Sequence, residues 1–375
     1  MRNEKMPILV ILCFVILTAF VSADKPSIDP YSRDLFDKKG ILIEHPIDNS
    51  IDSLSDQKFL ELVDDNGLTI WFARYFFKDI CVTGVCNMAK FWIFWDGTGK
   101  YLGFRLNKNE PLTKNNHIDF QPDDYVRLDE ILKDTESILQ DFDYEDLAFE
   151  SEEEIEEERS ILMVDAFTSA TPPALSEYVV EDAVFTCYTL WHTVYGETQE
   201  KIQSVLTDKM DSSYIEKLLR GEKDQQMLAL EQIADNHRLV TEFEVQLFQM
   251  VVSNDLTLSK KAVSLFPADY FDSKENQLKY INLMKRCLPE ITYEIIYRLQ
   301  KLDNLSTESI IQLLDMHAEE IISTAALNQV YRIVINYTNN TDIDFETVIA
   351  KIETFSKSSK PETSNLSMNF LKNIR

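Results

Sequence analysis

The sequence predicts an α+β N-terminal domain, an antiparallel sheet with helices, followed by an all-α domain built like a helical repeat. Five of the eight glycines lie between Gly67 and Gly103, and none follows Gly221. The glycine-rich stretch is dense in aromatic and β-branched residues, which favour strands. From Pro173 onward, apolar residues instead recur at helical spacing. With 375 residues, 45% of them hydrophobic, the chain is long enough for two domains with buried cores.

The N-terminus has the pattern of a secretory signal. A charged start is followed by an apolar run from Met6 to about Val21, and a cleavage-site pattern of small residues ends at Ala23. We therefore expect cleavage after residue 23 and an exported protein that is periplasmic, secreted or held at a membrane surface. The alternatives are an uncleaved anchor and a lipid-modified Cys13. No later stretch is apolar enough over the length of a membrane span.

Three antiparallel strands are predicted in the glycine-rich stretch. They cover about Leu68–Asp79, Ala89–Trp95 and Lys100–Leu106. The last two are joined by the sequence Asp-Gly-Thr-Gly at residues 96–99, which is typical of a hairpin turn whose glycines take positive φ.

A helix and an acidic segment follow the strands. The spacing predicts a helix from about Asp123 to Leu139. Residues 141–158 contain eleven acidic residues and no Lys or Arg, which favours a solvated linker or an extended loop within the first domain.

The rest of the chain has helical periodicity. Pro173 is suited to a helix start, an apolar stripe runs from Leu175 to Val194, and Gly196 is suited to the C′ position. Beyond it, short amphipathic segments alternate with polar breaks. Residues 196–375 are therefore predicted to form stacked helix pairs of the HEAT-like kind.

A row of small hydroxylated residues begins this helical part. The stretch Asp165-Ala-Phe-Thr168-Ser169-Ala170-Thr171 resembles the signature of the FMN-binding domain found in the NqrC and RnfG subunits of bacterial respiratory electron-transport complexes. In that family an acidic residue and two small or apolar residues precede Ser/Thr-Gly-Ala-Thr/Ser. By position, Asp165 is the family's acid, Thr168 its first hydroxyl residue, Ala170 its alanine and Thr171 its flavin-bearing threonine. Ser169 stands where the family has glycine.

The resemblance implies a cofactor and a function. It covers about residues 65–195 and implies an FMN-binding-like domain over residues 24–195, with FMN bound noncovalently or as a phosphoester on Thr171 installed by a flavin transferase. Such a protein would relay electrons between protein partners. The alternative for the same residues is a hydroxyl-capped helix start, in which Thr168, Ser169 or Thr171 satisfies free amides. The protein would then be a non-catalytic exported interaction protein with a degenerate flavin-binding fold.

Other candidate residues are few. Cys81 and Cys86 lie between two predicted strands, and a loop-closing disulfide is favoured over a redox pair because the spacing is not CxxC. His117 lies in a polar loop near Lys114 and Asp119, where it either lines a pocket or stabilises a turn. The five histidines form no metal-ligand motif, and no nucleophile, phosphate-loop or paired-carboxylate motif is present. An activity, if there is one, is expected to be redox.

The charge excludes one class of partner. The net charge is −27 at pH 7, and a nucleic-acid partner requires a basic footprint. We expect a protein partner that binds through the helical C-terminal region.

Overall fold

The predicted fold class is confirmed. The computed structural model of the protein describes residues 38–47, 55–78, 80, 88–107, 110–114, 118–143, 147, 175–338 and 342–374. In these residues a five-stranded antiparallel sheet with one helix is followed by a mostly helical region.

The strands lie in the sheet in the order in which they occur in the chain. The three predicted strands are present almost at their predicted bounds, and two earlier strands were not predicted. The first two strands pair in the register Ile43↔Glu61 and His45↔Phe59. The bounds are β1 Ile41–Pro46, β2 Lys58–Val63, β3 Thr69–Lys78, β4 Ala89–Asp96 and β5 Tyr101–Leu106.

The turn between β4 and β5 is the predicted hairpin, but its two glycines have different roles. Asp96 closes the turn, because its backbone N–H donates to the Lys100 carbonyl at 2.8 Å. Gly99 has a φ of +81°, as predicted. Gly97 is not one of the described glycines with positive φ. A Cβ at this position would lie 2.1 Å from the Thr69 carbonyl oxygen. Gly97 is required by the close approach of the backbones of β3 and the turn.

The helix after the sheet, α1, spans Pro122–Lys133 and ends before the predicted Leu139. The Asp134 side chain accepts the Glu136 N–H at 3.0 Å, and the Asp134 carbonyl accepts the Trp191 indole N–H at 2.9 Å. These bonds satisfy the backbone in a non-helical conformation, so the helix stops there although the apolar spacing continues.

The prediction of a helix from Leu175 was wrong for its first turns. Residues 175–183 form turns, and Asp182 has a φ of 57°. The Glu177 carbonyl accepts a hydrogen bond from Arg127 at 2.7 Å, so tertiary contacts satisfy this segment. Leu175, Val179, Val180 and Ala183 are buried without being helical. Gly196 has a φ of −96° and is the N-cap of the next helix.

Helices make up most of the described residues from Val184 to Ile374, and every amphipathic segment predicted beyond residue 196 is helical. Their bounds are α2 Val184–Val194, α3 Glu197–Lys209, α4 Ser212–Leu219, α5 Lys223–Asp235, α6 Arg238–Glu242, α7 Glu244–Val251, α8 Leu256–Ser264, α9 Lys274–Asn282, α10 Pro289–Gln300, α11 Thr307–Ala318, α12 Thr324–Asn336, α13 Phe345–Ser356 and α14 Pro361–Ile374.

The last seven helices form two rows. Helix α10 packs against α8 and α12, and α12 packs against α14, so α8, α10, α12 and α14 make one row. Helix α11 packs against α9 and α13, which make the second row with it. One continuous hydrophobic core, from Tyr214 to Leu371, lies within the helical region. Alternate helices therefore share a row, as expected for stacked helix pairs.

The chain contains two compact units. Of the described residues, one unit contains Lys38 and those of Phe76–Trp92 and Gly103–Trp191, and the other contains those of Lys39–Tyr75, Ile93–Leu102 and 192–374. The signal segment at residues 1–23 and most of the acidic linker at 141–158 lie outside the described residues. These two predictions and the domain boundary after residue 195 stay predictions.

Candidate functional site

The sequence-predicted site lies outside the described residues. This holds for the flavin-motif residues, for the loop histidine and for the cysteine pair. The structure therefore places none of them and brings none of them together. They are Asp165, Thr168, Ser169, Ala170, Thr171, His117, Cys81 and Cys86.

A buried polar cluster lies within the second unit, around Glu61 of β2. The Glu61 side chain is fully buried. One carboxylate oxygen accepts a hydrogen bond from Thr69 of β3 at 2.5 Å and also from the Lys209 ammonium. The other oxygen lies 2.8 Å from Nε2 of His45 in β1. Tyr214 of α4 completes the cluster, with its hydroxyl 3.0 Å from Oγ1 of Thr69.

The hydrogen bonds decide the charge of Glu61. Burial by itself would raise the pKa of this carboxyl, but hydrogen bonds from its three neighbours, led by Lys209, hold its pKa below the ordinary value of 4.5. Glu61 is therefore a carboxylate at neutral pH. Since its oxygens already accept from three side chains, the cluster is suited to joining β1, β2 and β3 to α3 and α4, and not to proton transfer.

The row of α8, α10, α12 and α14 has an exposed side with an unusual composition. From Leu256 to the end of the described chain, every exposed large hydrophobic side chain belongs to this row, and none belongs to α9, α11 or α13. Exposed basic residues accompany them. We define the α8–α14 face as the exposed residues Leu256, Lys260, Tyr293, Tyr297, Lys301, Arg332, Ile335 and Met368.

The two rows also differ in charge. Helices α8, α10, α12 and α14 contain five basic and three acidic residues, whereas α9, α11 and α13 contain three basic and five acidic residues. The lysines of the second row are paired: Lys274 with Glu308 at 2.7 Å, and Lys351 with Asp315. Within the part of the chain that the structure describes, Lys260 and Arg332 of the face have no ion pair. The face is a basic, partly apolar surface on a strongly acidic protein.

A cavity of about 320 Å³ opens at the edge of this face, between α8 and α10. Lys260, Tyr297, Arg298 and Lys301 line it, together with Glu294. The Lys301 ammonium lies 4.1 Å from the centre of the Tyr297 ring, a cation–π contact.

The sequence of α10 contains a feature that indicates this face. In α10 the buried stripe contains Ile291, Ile295 and Leu299. The complementary stripe contains Tyr293 and Tyr297, four residues apart and exposed by 45% and 54%. Two large aromatic residues on the polar side of an amphipathic helix are the sequence feature that indicates a contact surface.

Comparisons with protein families, with characterised proteins and with solved structures found no match to this chain. The resemblance to the FMN-binding domain therefore stays a prediction that depends on the motif at residues 165–171. Among the described residues, no group of His, Cys, Asp and Glu is arranged to hold a metal ion. No helix in the described ranges is long and apolar enough to cross a membrane.

Proposed function

We propose that this protein is an exported interaction protein whose helical region binds a protein partner through the α8–α14 face. The observation that carries the proposal is the asymmetry between the two rows of helices: one row alone presents exposed aromatic and aliphatic side chains beside unpaired basic residues.

The composition of the face matches that of binding surfaces. Tyr, Met and Arg are enriched at protein interfaces, and exposed apolar groups lower the free energy of association when a partner covers them. Ile335 and Met368 are exposed by 52% and 48%. Asn336 donates to the Gln300 carbonyl at 3.4 Å, which holds the C-terminal ends of α12 and α10 side by side. Ile335 therefore lies near the end of the helix that carries Tyr297.

Co-purification of the full chain with its partner tests the proposal. The tagged chain is isolated from the exported fraction of the cells that produce it, and bound proteins are identified by mass spectrometry. Ile335→Glu with Met368→Glu introduces charge at two apolar positions of the face. We expect the double variant to lose the partner, because it replaces two apolar contacts by carboxylates that would have to be desolvated when the partner covers the face.

The matched control is Ala350→Glu with Thr354→Glu, two exposed positions of α13 in the second row. This variant is expected to keep the partner. Loss of the partner in both variants, or in neither, would contradict the assignment of binding to the α8–α14 face.

We also propose, as a second function carried by the motif Asp165–Thr171, that the protein is a flavoprotein that relays electrons between protein partners. Protein from its native exported fraction, with a mature N-terminus at Asp24, is then expected to absorb in the flavin bands and to fluoresce in a denaturing gel. Thr171→Ala is expected to abolish the gel fluorescence. Colourless protein from a host that has a flavin transferase would exclude covalent FMN.

A further inference from the structure

The cavity between α8 and α10 has two kinds of wall. Ala268, Tyr297 and Leu302 supply accessible apolar surface, while Lys260 and Lys301 supply positive charge. A volume of about 320 Å³ lies at the lower end of the range for ligand pockets, which accommodates one or two side chains and not a folded domain.

The basic groups of the cavity lack carboxylate partners. Among the described residues, Lys260, Arg298 and Lys301 make no ion pair, although Glu294 also lines the cavity. Three cations around one acid leave the cavity positive. In the second row, by contrast, acids of neighbouring helices neutralise Lys274 and Lys351.

Arg298 contributes a fixed positive charge to the cavity. One terminal nitrogen donates to the Phe266 carbonyl, which fixes the side chain at the wall of the cavity. Its Nε is buried and has no hydrogen-bond partner among the described residues. That nitrogen is itself inaccessible, so Arg298 acts on a ligand through its positive charge.

We propose that this cavity binds an acidic peptide segment of the protein partner, with a carboxylate side chain beside Arg298, Lys260 and Lys301 and a neighbouring apolar side chain against Ala268, Tyr297 and Leu302. The proposal rests on the proposed interaction function. Charge complementarity selects the carboxylate, and the apolar wall selects a peptide over a bare anion, since an inorganic anion leaves that wall uncovered.

Fluorescence anisotropy of a labelled peptide of alternating Glu and Leu residues tests the proposal with the full-length chain. The control peptide replaces every Glu by Gln. The Glu peptide is expected to bind and the Gln peptide to bind at least about tenfold more weakly, with the affinity for the Glu peptide falling as salt rises.

Lys260→Ala with Lys301→Ala removes two exposed charges of the cavity and is expected to weaken binding of the Glu peptide by about tenfold or more. These side chains are exposed, so the fold is expected to persist; Arg298→Ala is a second variant, checked for folding because it also removes the bond to the Phe266 carbonyl. Lys274→Ala with Lys351→Ala, in the second row, is the matched control and is expected to leave binding unchanged.

Several outcomes overturn the inference: no binding of the Glu peptide, equal binding of both peptides, or equal loss in the cavity and control variants. Displacement of the peptide by inorganic phosphate at matched ionic strength would instead identify a general anion site. Failure of this inference is distinguishable from failure of the proposed function. If co-purification of the partner depends on Ile335 and Met368 but not on Lys260 and Lys301, the partner binds the α8–α14 face and the cavity is excluded as its binding site.

Discussion

At the residue scale, Glu61 shows how a polar side chain is held inside an apolar sheet. Leu62 and Val63, which follow it in β2, are buried, and Glu61 is buried with them. The sequence of β2 does not reveal this, because the cation that neutralises Glu61 is Lys209, far along the chain at the end of α3. Distant partners of this kind are supplied by tertiary structure alone.

Removing the cation is expected to destabilise the protein strongly. In Lys209→Met the buried carboxylate keeps its desolvation cost and loses its counter-charge, so we expect a loss of about 3–5 kcal/mol in the free energy of unfolding. Urea denaturation measures it. Lys201→Met, an exposed change in the same helix, is the control and should shift stability by no more than about 0.5 kcal/mol. Similar losses in both variants would show that the pair does not stabilise the fold.

The lowered pKa of Glu61 also predicts a pH dependence. Because the folded-state pKa lies below the ordinary 4.5, the unfolded chain binds a proton more readily. The contribution of Glu61 is therefore complete above pH 4.5 and is lost as pH falls through the folded-state pKa. Glu61→Gln is expected to be less stable at pH 7 and to have a shallower decline in unfolding free energy below pH 4.5. Parallel pH profiles of the two proteins would exclude this linkage.

At the element scale, the predictions succeeded where local spacing decides the structure. Strands β3 to β5 and the amphipathic helices of the C-terminal region followed from their period and turn residues. Strand β1 was not predicted because Ile41, Leu42 and Ile43 are consecutive apolar residues and lack strand alternation. All three are exposed. Residues 175–183 were predicted to be helical because their buried residues have helical spacing by coincidence.

The contact between α9 and α11 depends on one buried amide. The side chain of Gln277 donates to the carbonyls of Phe271 and Asn304 at 2.7 and 2.9 Å. Its oxygen accepts from the Ser306 N–H at 2.9 Å and from the Ser309 hydroxyl at 2.8 Å. All of its hydrogen-bonding capacity is used, so this side chain fixes the start of α11 against α9.

Gln277→Leu is expected to lower the melting temperature, because each buried group that it orphans costs about 1–3 kcal/mol. Calorimetry of the full chain measures the change. Gln312→Leu removes a single exposed hydrogen bond to Asn282 and is expected to melt close to wild type. A Gln277→Leu protein as stable as the control would show that the amide network does not hold the two helices.

At the scale of the whole molecule, charge is distributed unevenly. The chain carries −27, yet the α8–α14 face combines basic residues with the exposed aromatic and aliphatic side chains of its helices. Composition alone predicts a solvated acidic surface, and the periodicity of each helix predicts only its buried side. The face is formed only when alternate helices lie in one row. No single segment of the sequence specifies that arrangement. The flavin motif at residues 165–171 remains a prediction from sequence.

The binding of a partner to the α8–α14 face is tested most directly by site-specific photo-crosslinking in the cells that produce the protein. A photoreactive phenylalanine analogue is placed at Tyr297 on the face, and at Ala350 on the second row as the control. We predict a crosslinked product of defined mass from position 297 and none from position 350. Crosslinks of equal yield at both positions, or from position 350 alone, would contradict the account.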